Sequence, residues 1–176
     1  GGICWIWNNG LSYAIIPLTE GNLQWSGNSS IGISTGDWKN VFVHEGGGHG
    51  FGKLLDEYHY NDSPNYTAES IESQAWEVPL GLNLTTDFNN TKGSVYWKHL
   101  LNDSRYPRTG FFEGGMGYKS GIWHSEITSC MDDNRLYFNT ISRQLIVERI
   151  KTIAGEPFVL EEFFAKDINY DPLRDF

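Results

Sequence analysis

The first apolar pattern along the chain is an alternating run from Leu11 to Leu18, which the polar segment Thr19 to Asn22 closes. Alternation of apolar and polar side chains is typical of a half-buried strand, so this run predicts a strand followed by a turn. Residues 31–34, Ile-Gly-Ile-Ser, predict a second strand. Asp37 then predicts the start of a helix through Trp38 and on to His44, because its carboxylate can accept hydrogen bonds from the free amides of the first turn.

The middle of the chain has weaker patterns. Residues 67–77 predict a short helix that ends before Pro79, and residues 81–92 are polar and rich in turn-forming residues. Residues 95–101 predict a further helical turn. The stretch from 107 to 129 combines glycines with interspersed aromatic residues, and we expect it to be irregular.

The clearest helical pattern runs from about Ile141 to Ala154. Thr140 or Ser142 is the expected N-cap, and Gly155 followed by Pro157 is typical of a helix end. Isoleucines recur at a spacing that places them on one face of the helix. This predicted apolar stripe consists of Ile146, Ile150 and Ile153.

Composition limits the classes of protein that fit. With 176 residues, of which 39% are hydrophobic and 15% aromatic, the chain can bury one substantial core, so we expect one domain over residues 1–176. The net charge of −9 argues against nucleic acid or an anionic membrane as partner, because both favour a basic patch. The sequence has no apolar run of membrane-spanning length, so we expect no membrane insertion. It begins at Gly1 without a signal-like segment, from which we expect a longer parent protein.

Two further sequence features leave alternatives open. Cys4 and Cys130 could form one disulfide in an oxidising compartment or remain two buried thiols. Several asparagines begin N-x-S/T sequons, which matter only in a eukaryotic secretory pathway. They are Asn28, Asn61, Asn65, Asn83, Asn89 and Asn102.

The candidate chemistry lies in the run from His44 to Tyr58, which begins His-Glu-Gly-Gly-Gly-His. A catalytic zinc ion needs neutral nitrogen ligands, an oxygen ligand and a base beside an open coordination position. His44 and His49 are therefore candidate zinc ligands. Glu45 is the candidate general base, which would deprotonate a metal-activated water and pass the proton to the leaving amine.

The spacing of the two histidines needs a distorted helix. In the zincin signature H-E-x-x-H the histidines are four residues apart, about 40° around a helix, whereas His44 and His49 are five apart, about 140° on an ideal helix. A π-bulge resolves this conflict, because its i→i+5 hydrogen bond returns residues five apart to one face, and such bulges are frequent at functional sites. The glycines Gly46 to Gly48 make that distortion easy. Gly50 and Gly52 are expected to end the helix.

The pattern H-E-x-x-x-H-x-F-G-x-L-x-D-E-Y over residues 44–58 resembles the signature of the IgA-peptidase family of zinc metallopeptidases, in the glycine-inserted form of gut Bacteroidetes members. The longer His-to-His spacing also occurs in dipeptidyl peptidase III. The resemblance spans the chain from about residue 32 to residue 155. It continues at Trp97-Lys98-His99-Leu100-Leu101, Gly114-Gly115-Met116-Gly117-Tyr118, Gly121-Ile122-Trp123, Ser129-Cys130-Met131 and Tyr137-Phe138-Asn139.

The third ligand does not follow from the metzincin pattern, in which the residue three after the glycine binds the metal. Counting from Gly52 gives Leu55, which cannot bind a metal ion. Asp56 is the expected ligand, with Glu57 and then His59 as alternatives. A carboxylate oxygen suits zinc, and of two adjacent carboxylates one can bind the metal while the other supports it.

The resemblance implies a metzincin-like zincin of the α+β class. We expect a small twisted mixed sheet with an active-site helix, and a loop-rich lower part that ends in a C-terminal helix. The implied function is a zinc-dependent endopeptidase with one catalytic ion, secreted or at the cell surface and monomeric. It would hydrolyse peptide bonds of protein or glycoprotein substrates, with substrate extended along an edge strand such as residues 31–34.

The resemblance also adds residues outside the first motif. Met131 resembles the methionine of the metzincin Met-turn, which forms a hydrophobic floor beneath the metal ligands. His124 and Tyr118 are candidates for binding substrate or the oxyanion, with a structural role as the alternative. Trp97 and Trp123 are expected to pack in the interior first and to line the cleft second.

Two other functions compete with the peptidase. The run from Gly47 to Lys53 fits the phosphate-binding pattern G-x-x-x-x-G-K after strand-like residues 40–43, but Leu54 stands where a Ser or Thr must hold magnesium. A catalytically silent surface module that recognises a host glycoprotein is the second competitor. Binding alone needs no base such as Glu45, so the sequence favours the peptidase.

Overall fold

The computed structural model describes residues 4–8, 11–16, 24–25, 38–67 and 82–167, with side chains from residue 40 onward. Within these residues the fold combines helices with two antiparallel three-stranded sheets. The coarse α+β class is therefore confirmed. The predicted strand at residues 31–34, the Asp37 cap and the helix beyond residue 67 fall outside the described residues.

The first sheet contains β1 (Cys4–Asn8), β2 (Leu11–Ile16) and β3 (Gln24–Trp25) in the order β1-β2-β3. Strand β2 confirms the alternating run as a strand. Asn8 pairs with Leu11, so a two-residue connection joins β1 to β2. Both strand pairs are antiparallel. A mixed sheet was expected, but the pairings between these described strands are all antiparallel, and the parallel pairing among the described residues is an isolated bridge from Asn65 to Ser120.

The second sheet lies largely in the stretch that we expected to be irregular. It contains β4 (Leu84–Thr85), β5 (Phe112–Gly115) and β6 (Tyr118–His124) in the order β4-β6-β5. The turn between β5 and β6 consists of Met116 and Gly117, both at positive φ, 52° and 72°. Positive φ at both central residues is the conformation of a two-residue I′ hairpin turn. The expectation was wrong because glycines within the strands hide the alternation that identifies a strand.

The helical residues are grouped near the metal motif and at the C-terminal end. Within the described residues, each helix is too short or too polar to span a bilayer. The helices are α1 (Trp38–Phe42), a π-helix continuous with it (Val43–Gly52), α2 (Cys130–Asp133), α3 (Thr140–Ala154) and α4 (Leu160–Lys166). A short 3₁₀ helix, Phe88–Asn90, lies apart from both groups. Residues 40–43, which appeared strand-like, are therefore helical. The lower part ends in two helices rather than the single one expected.

Helix α3 confirms the predicted helix, with different details. Its N-cap is Asn139, whose Oδ1 accepts a hydrogen bond from the Ser142 amide at 3.0 Å, so the expectation of Thr140 or Ser142 was wrong. Gly155 ends the helix at φ 69°, as predicted. Of the predicted isoleucine stripe, Ile146 packs against the core, but the prediction was wrong for Ile150 and Ile153, which are 49% and 65% exposed. The buried face instead carries residues nearer the N-terminus of α3, Ile141 and Leu145.

The hydrophobic core lies under the π-helix and joins it to α2 and α3. Trp97 is fully buried in this core, and its Nε1 donates a hydrogen bond to the Gly110 carbonyl at 3.0 Å. Residues 95–101 form successive i→i+3 turns rather than an α-helical turn. The buried members of the core are Leu54, Val95, Trp97, Leu100, Tyr106, Met131, Ile141 and Leu145.

Candidate metal centre

The ten residues Val43–Gly52 form a π-helix, which confirms the distortion that the histidine spacing required. His44 and His49 therefore lie on one face. Their Nε2 atoms are 3.2 Å apart, and their rings meet edge to face with centroids 4.9 Å apart. The surplus residue is absorbed by the i→i+5 backbone geometry.

Gly48 is the glycine of this helix that the packing requires most strongly. A Cβ atom on Gly48 would lie 2.2 Å from the sulfur of Met131, whereas a Cβ on Gly47 would meet nothing closer than 3.5 Å. Met131 is fully buried, so its side chain has little room to withdraw. The sulfur of Met131 thus lies directly against the backbone of the helix that carries the two histidines.

The π-helix ends at Gly52, but neither Gly50 nor Gly52 adopts the left-handed conformation that was expected to end the helix. Lys53 adopts the left-handed conformation at φ 57°, and its amide donates to the Gly48 carbonyl. This arrangement also argues against the phosphate-binding alternative. The Gly47–Lys53 run is folded into a helix and its cap, rather than into an open loop after a strand.

The five residues after this cap, Leu54 to Tyr58, form a segment without regular secondary structure that we call the ligand segment. Every one of them makes a hydrogen bond through its backbone to another part of the fold. The partners, in chain order, are His49 for Leu54, Asn83 for Leu55, Met116 for Asp56, Met131 for Glu57 and Gly117 for Tyr58. The segment is thereby held without regular secondary structure of its own.

The ligand segment brings Asp56 to the two histidines. Asp56 Oδ1 lies 2.9 Å from His44 Nε2 and 3.1 Å from His49 Nε2. These three residues offer ligand atoms that all lie within 4.8 Å of one another, a group that could hold a metal ion. Of the three carboxylate or imidazole candidates after Gly52, the structure places Asp56 in this group.

The other two candidates point elsewhere. Glu57 is buried and accepts hydrogen bonds from Asn83 and Asn139 at 2.9 and 2.8 Å. His59 is exposed, and its ring packs against the backbone at Gly114. Glu57 therefore attaches the ligand segment to Asn83 and Asn139. His59 lies beside the β5–β6 hairpin.

The hydrogen bonds of the histidines determine which nitrogens face the centre. Nδ1 of His44 lies 2.7 Å from the Cys130 carbonyl oxygen, and Nδ1 of His49 lies 2.7 Å from the Leu54 carbonyl oxygen. A carbonyl oxygen only accepts, so both Nδ1 atoms carry hydrogen and each neutral ring presents a lone pair at Nε2. Two lone pairs and the carboxylate of Asp56 then converge. Such a set of acceptors could hold a metal ion.

The distances within this set fit a tetrahedral metal ion. The three separations among the ligand atoms are 3.2, 2.9 and 3.1 Å. Ligands at the usual zinc distances of about 2.0–2.1 Å in a tetrahedral array lie roughly 3.3 Å apart. The residues present therefore match a small divalent cation that prefers nitrogen and oxygen ligands.

The charges at the centre are strongly perturbed. Burial disfavours the charged form of His49, but the hydrogen bond and the negative charge of Asp56 outweigh it, together with the charge of Glu45, and raise its pKa to about 9. Burial alone would raise the pKa of Asp56, yet hydrogen bonds from both histidines hold it well below its usual range. The groups of this centre therefore favour a positive charge between them.

Glu45 interacts electrostatically with all three residues that offer ligand atoms. Burial raises the pKa of its carboxyl group, while the neighbouring His49 and His44 lower it and Asp56 raises it further. The side chain is only half-buried, so it remains accessible to solvent. A carboxylate with a raised pKa beside a cation site is suited to accept and return a proton.

His124 lies behind Glu57 rather than beside the ligand atoms. Its Nδ1 is 3.8 Å from Glu57 Oε2, and the His124 side chain is buried. Burial lowers the pKa of His124 to about 4 and raises that of Glu57 to about 8. Burial thus disfavours the charged form of both groups.

The remaining candidates have structural contacts. Tyr118 packs edge to face on Tyr66, with ring centroids 5.1 Å apart, and Trp123 packs on Phe88 at 5.1 Å. Cys130 is a free, buried thiol whose pKa burial raises to about 12. The sequence left open a disulfide or two thiols, and in the structure Cys130 is a thiol.

Sequence reasoning missed two polar residues that build the centre. Asn83 and Asn139 are both fully buried and both donate to Glu57. Asn139 belonged to a matched segment but had no assigned role, and Asn83 was noted only as the start of a sequon. Only their burial and contacts identify them.

The centre thus joins three ligand atoms, a carboxylate suited to proton transfer and a buried methionine. All of these groups except Met131 come from the run between His44 and Asp56. In comparisons with known proteins, no protein-family model and no curated sequence matches the chain.

Proposed function

We propose that the protein is a zinc-dependent endopeptidase that hydrolyses peptide bonds of protein or glycoprotein substrates. The observation that carries this proposal is the convergence of His44, His49 and Asp56 through three acceptor atoms, with the Glu45 carboxyl beside them. The resemblance of residues 44–58 to the IgA-peptidase signature supports the choice of reaction. A secreted or cell-surface location and a monomeric state of the protein are part of the same proposal.

His44, His49 and Asp56 would hold the zinc ion. Two neutral imidazoles and one carboxylate leave a net positive charge on a divalent ion and one coordination position for water or substrate, the pattern of a catalytic site. When bound, zinc supplies Lewis acidity that polarises the scissile carbonyl and acidifies water. The carbonyls of Cys130 and Leu54 fix the imidazole rings in the tautomer that this role requires.

Glu45 would move the proton. Its carboxylate accepts a proton from the attacking water and then donates it to the nitrogen of the leaving amine, so that the residue ends each cycle in its starting state. The raised pKa of Glu45 brings its affinity for protons closer to working pH. This makes the first proton transfer, from water to Glu45, easier than it would be for an ordinary surface glutamate.

The centre is open on one side. The side chain of His44 is 4% exposed, whereas those of His49 and Asp56 are 21% and 27% exposed. The ligands are thus anchored in the interior at His44 and face solvent at His49 and Asp56. An extended peptide can approach from that side, as an endopeptidase requires.

The test combines metal analysis with the substitution Glu45→Gln. The purified protein should contain one zinc per chain and cleave a denatured protein or peptide library. Glu45→Gln should retain the zinc and lower kcat by about 10²–10⁴-fold, because it removes the proton acceptor and leaves the ligands unchanged. Glu156→Gln, an exposed carboxylate paired with Lys151, is the matched control and should retain full activity.

Two results would oppose the proposal. Loss of zinc in Glu45→Gln would make Glu45 a ligand rather than a base. Stoichiometric zinc without cleavage of any member of a diverse peptide library would instead favour the surface module, in which the metal is structural.

A further inference from the structure

Asn83 lies immediately before strand β4 and far from the metal motif in sequence, yet its side chain reaches the ligand segment. Its Oδ1 accepts the Leu55 amide at 3.0 Å. Its Nδ2 donates to the Leu55 carbonyl and to Glu57 Oε1, both at 2.9 Å. All three hydrogen bonds of the Asn83 side chain are therefore made to Leu55 and Glu57, the two residues that flank Asp56.

The orientation of this amide follows from its partners. The Leu55 N–H can only donate, whereas the Leu55 carbonyl and the Glu57 carboxylate accept, so the oxygen of Asn83 must face the first and its nitrogen the other two. Asn83 is fully buried. A buried amide with every group satisfied is costly to disturb, because each lost partner leaves a desolvated polar group.

A second buried amide completes the attachment on the other side of Glu57. Asn139 Nδ2 donates to Glu57 Oε2 at 2.8 Å, while its Oδ1 caps helix α3 at Ser142. Glu57 is thus held between strand β4 and the start of α3. Asp56 lies between Leu55 and Glu57, so its backbone is fixed on both sides by these contacts.

We propose that Asn83 is a positioning residue of the metal centre: it holds Leu55 and Glu57 so that the carboxylate of Asp56 faces the two histidines. The inference rests on the proposed function insofar as Asp56 binds the metal. Asn83 itself does not touch the ligand atoms. Asn83 orders the ligand segment when the protein folds. Metal binding then does not carry the entropic cost of ordering that segment.

The test measures zinc affinity by competition with a chelator in four variants. Asn83→Asp keeps the size of the side chain and the acceptor for the Leu55 amide, but it faces the Leu55 carbonyl and Glu57 with an acceptor instead of a donor. Asn83→Ala removes all three hydrogen bonds. Both should weaken zinc binding by about 10–100-fold, the range found for partners that orient metal ligands.

Asn90→Ala is the matched control. Asn90 also makes a side-chain hydrogen bond to backbone, from the Val95 amide at 3.1 Å, in a loop outside the ligand segment. This variant should lose stability and keep the zinc affinity of the native chain. All affinities are measured at a temperature where circular dichroism shows each variant to be folded, so that unfolding does not appear as weaker binding.

A double variant separates positioning from general loss of structure. When Asn83→Asp is combined with Glu57→Gln, the amide introduced at position 57 can donate to the carboxylate introduced at position 83 and still accept from Asn139. Zinc affinity should therefore rise above that of Asn83→Asp alone. The visible spectrum of the Co²⁺-loaded protein, which reports coordination geometry, should change in Asn83→Asp and shift back in the double variant.

The outcomes distinguish this inference from the proposed function. A native chain that binds zinc, together with Asn83 variants of unchanged affinity and Co²⁺ spectrum, overturns the positioning role alone. A folded native chain that binds no zinc overturns both. Equal losses of affinity in Asn90→Ala and Asn83→Asp would also overturn it, because the effect would then be one of stability.

Discussion

The metal centre and helix α3 show two ways of fixing a backbone. Helix α3 runs for 15 residues with local hydrogen bonds, and its own flanking residues Asn139 and Gly155 cap it. In the metal centre, His44 bonds to a carbonyl 86 residues away, and Glu57 bonds to an amide 82 residues away. One region is specified by neighbours in sequence and the other by neighbours in space.

This difference separates stability from function. A change within α3, apart from its cap Asn139, alters packing or C-terminal capping and should affect the stability of the fold. A change in the centre alters the mutual position of three ligand atoms, and a shift of a few tenths of an ångström is enough to weaken a metal site. The following predictions test whether the two regions respond in these different ways.

The largest difference is expected at Asp56. Asp56→Ala removes one of the three converging ligand atoms, so zinc affinity should fall by more than the roughly 100-fold effect of partners that only orient ligands. Asp133→Ala, at an exposed residue of α2 that pairs with Arg135, should leave affinity unchanged. Chelator competition measures both, and equal affinities in the two variants would remove Asp56 from the centre.

The second comparison lies within α3. Ile141 is fully buried and Ile153 is 65% exposed. Ile141→Ala should lower the free energy of unfolding by about 2–5 kcal/mol through a cavity, whereas Ile153→Ala should change it by no more than about 0.5 kcal/mol. Urea denaturation of the metal-free protein decides this. A large effect at Ile153 would show that this face is covered in the folded protein.

The third prediction concerns pH and the buried His124. Its folded-state pKa of about 4 lies below the ordinary 6.5, so the folded protein binds fewer protons there than the unfolded chain. The contribution of neutral His124 to the free energy of unfolding is fully present above pH 6.5. It is lost as the pH falls toward 4, by up to about 3 kcal/mol.

Urea denaturation in the presence of EDTA at pH 7 and at pH 4 measures this loss. His124→Gln removes the group that titrates. Its free energy of unfolding should therefore fall less between pH 7 and pH 4 than that of the native chain, by up to about 3 kcal/mol. Glu57 and the other carboxyl groups titrate in both proteins. Identical pH profiles would show that His124 is not the responsible group.

The smallest differences are expected at two glycines. Gly48→Ala forces a Cβ toward the Met131 sulfur, which should cost about 1–3 kcal/mol by overpacking and also weaken zinc binding. Gly155→Ala has open space but a left-handed backbone, so it should cost about 1–2 kcal/mol and leave zinc binding unchanged. Thermal denaturation and chelator competition report both effects. Equal zinc affinities would place Gly48 outside the centre.

The sequence predicted the π-helix because the histidine spacing permits few geometries that place both rings on one metal. It did not predict the second sheet, because glycines at positive φ interrupt the alternation of β5 and β6. The isoleucine stripe of α3 failed at Ile150 and Ile153 for another reason. Periodicity shows that residues share a face, but only packing decides how far along the helix that face is buried.

The sequence by itself determined the strand β2, the extent of α3 with its glycine end, and the helical residues that carry both histidines. These features depend on alternation, periodicity and local backbone preferences, which a chain carries residue by residue. Only the tertiary structure decided that Asp56 rather than Glu57 or His59 joins the histidines, and that Asn83 and Asn139 hold its neighbours. Adjacent residues with similar chemistry differ only in the direction that the backbone gives them. In the ligand segment, that direction is set by hydrogen bonds to partners distant in sequence.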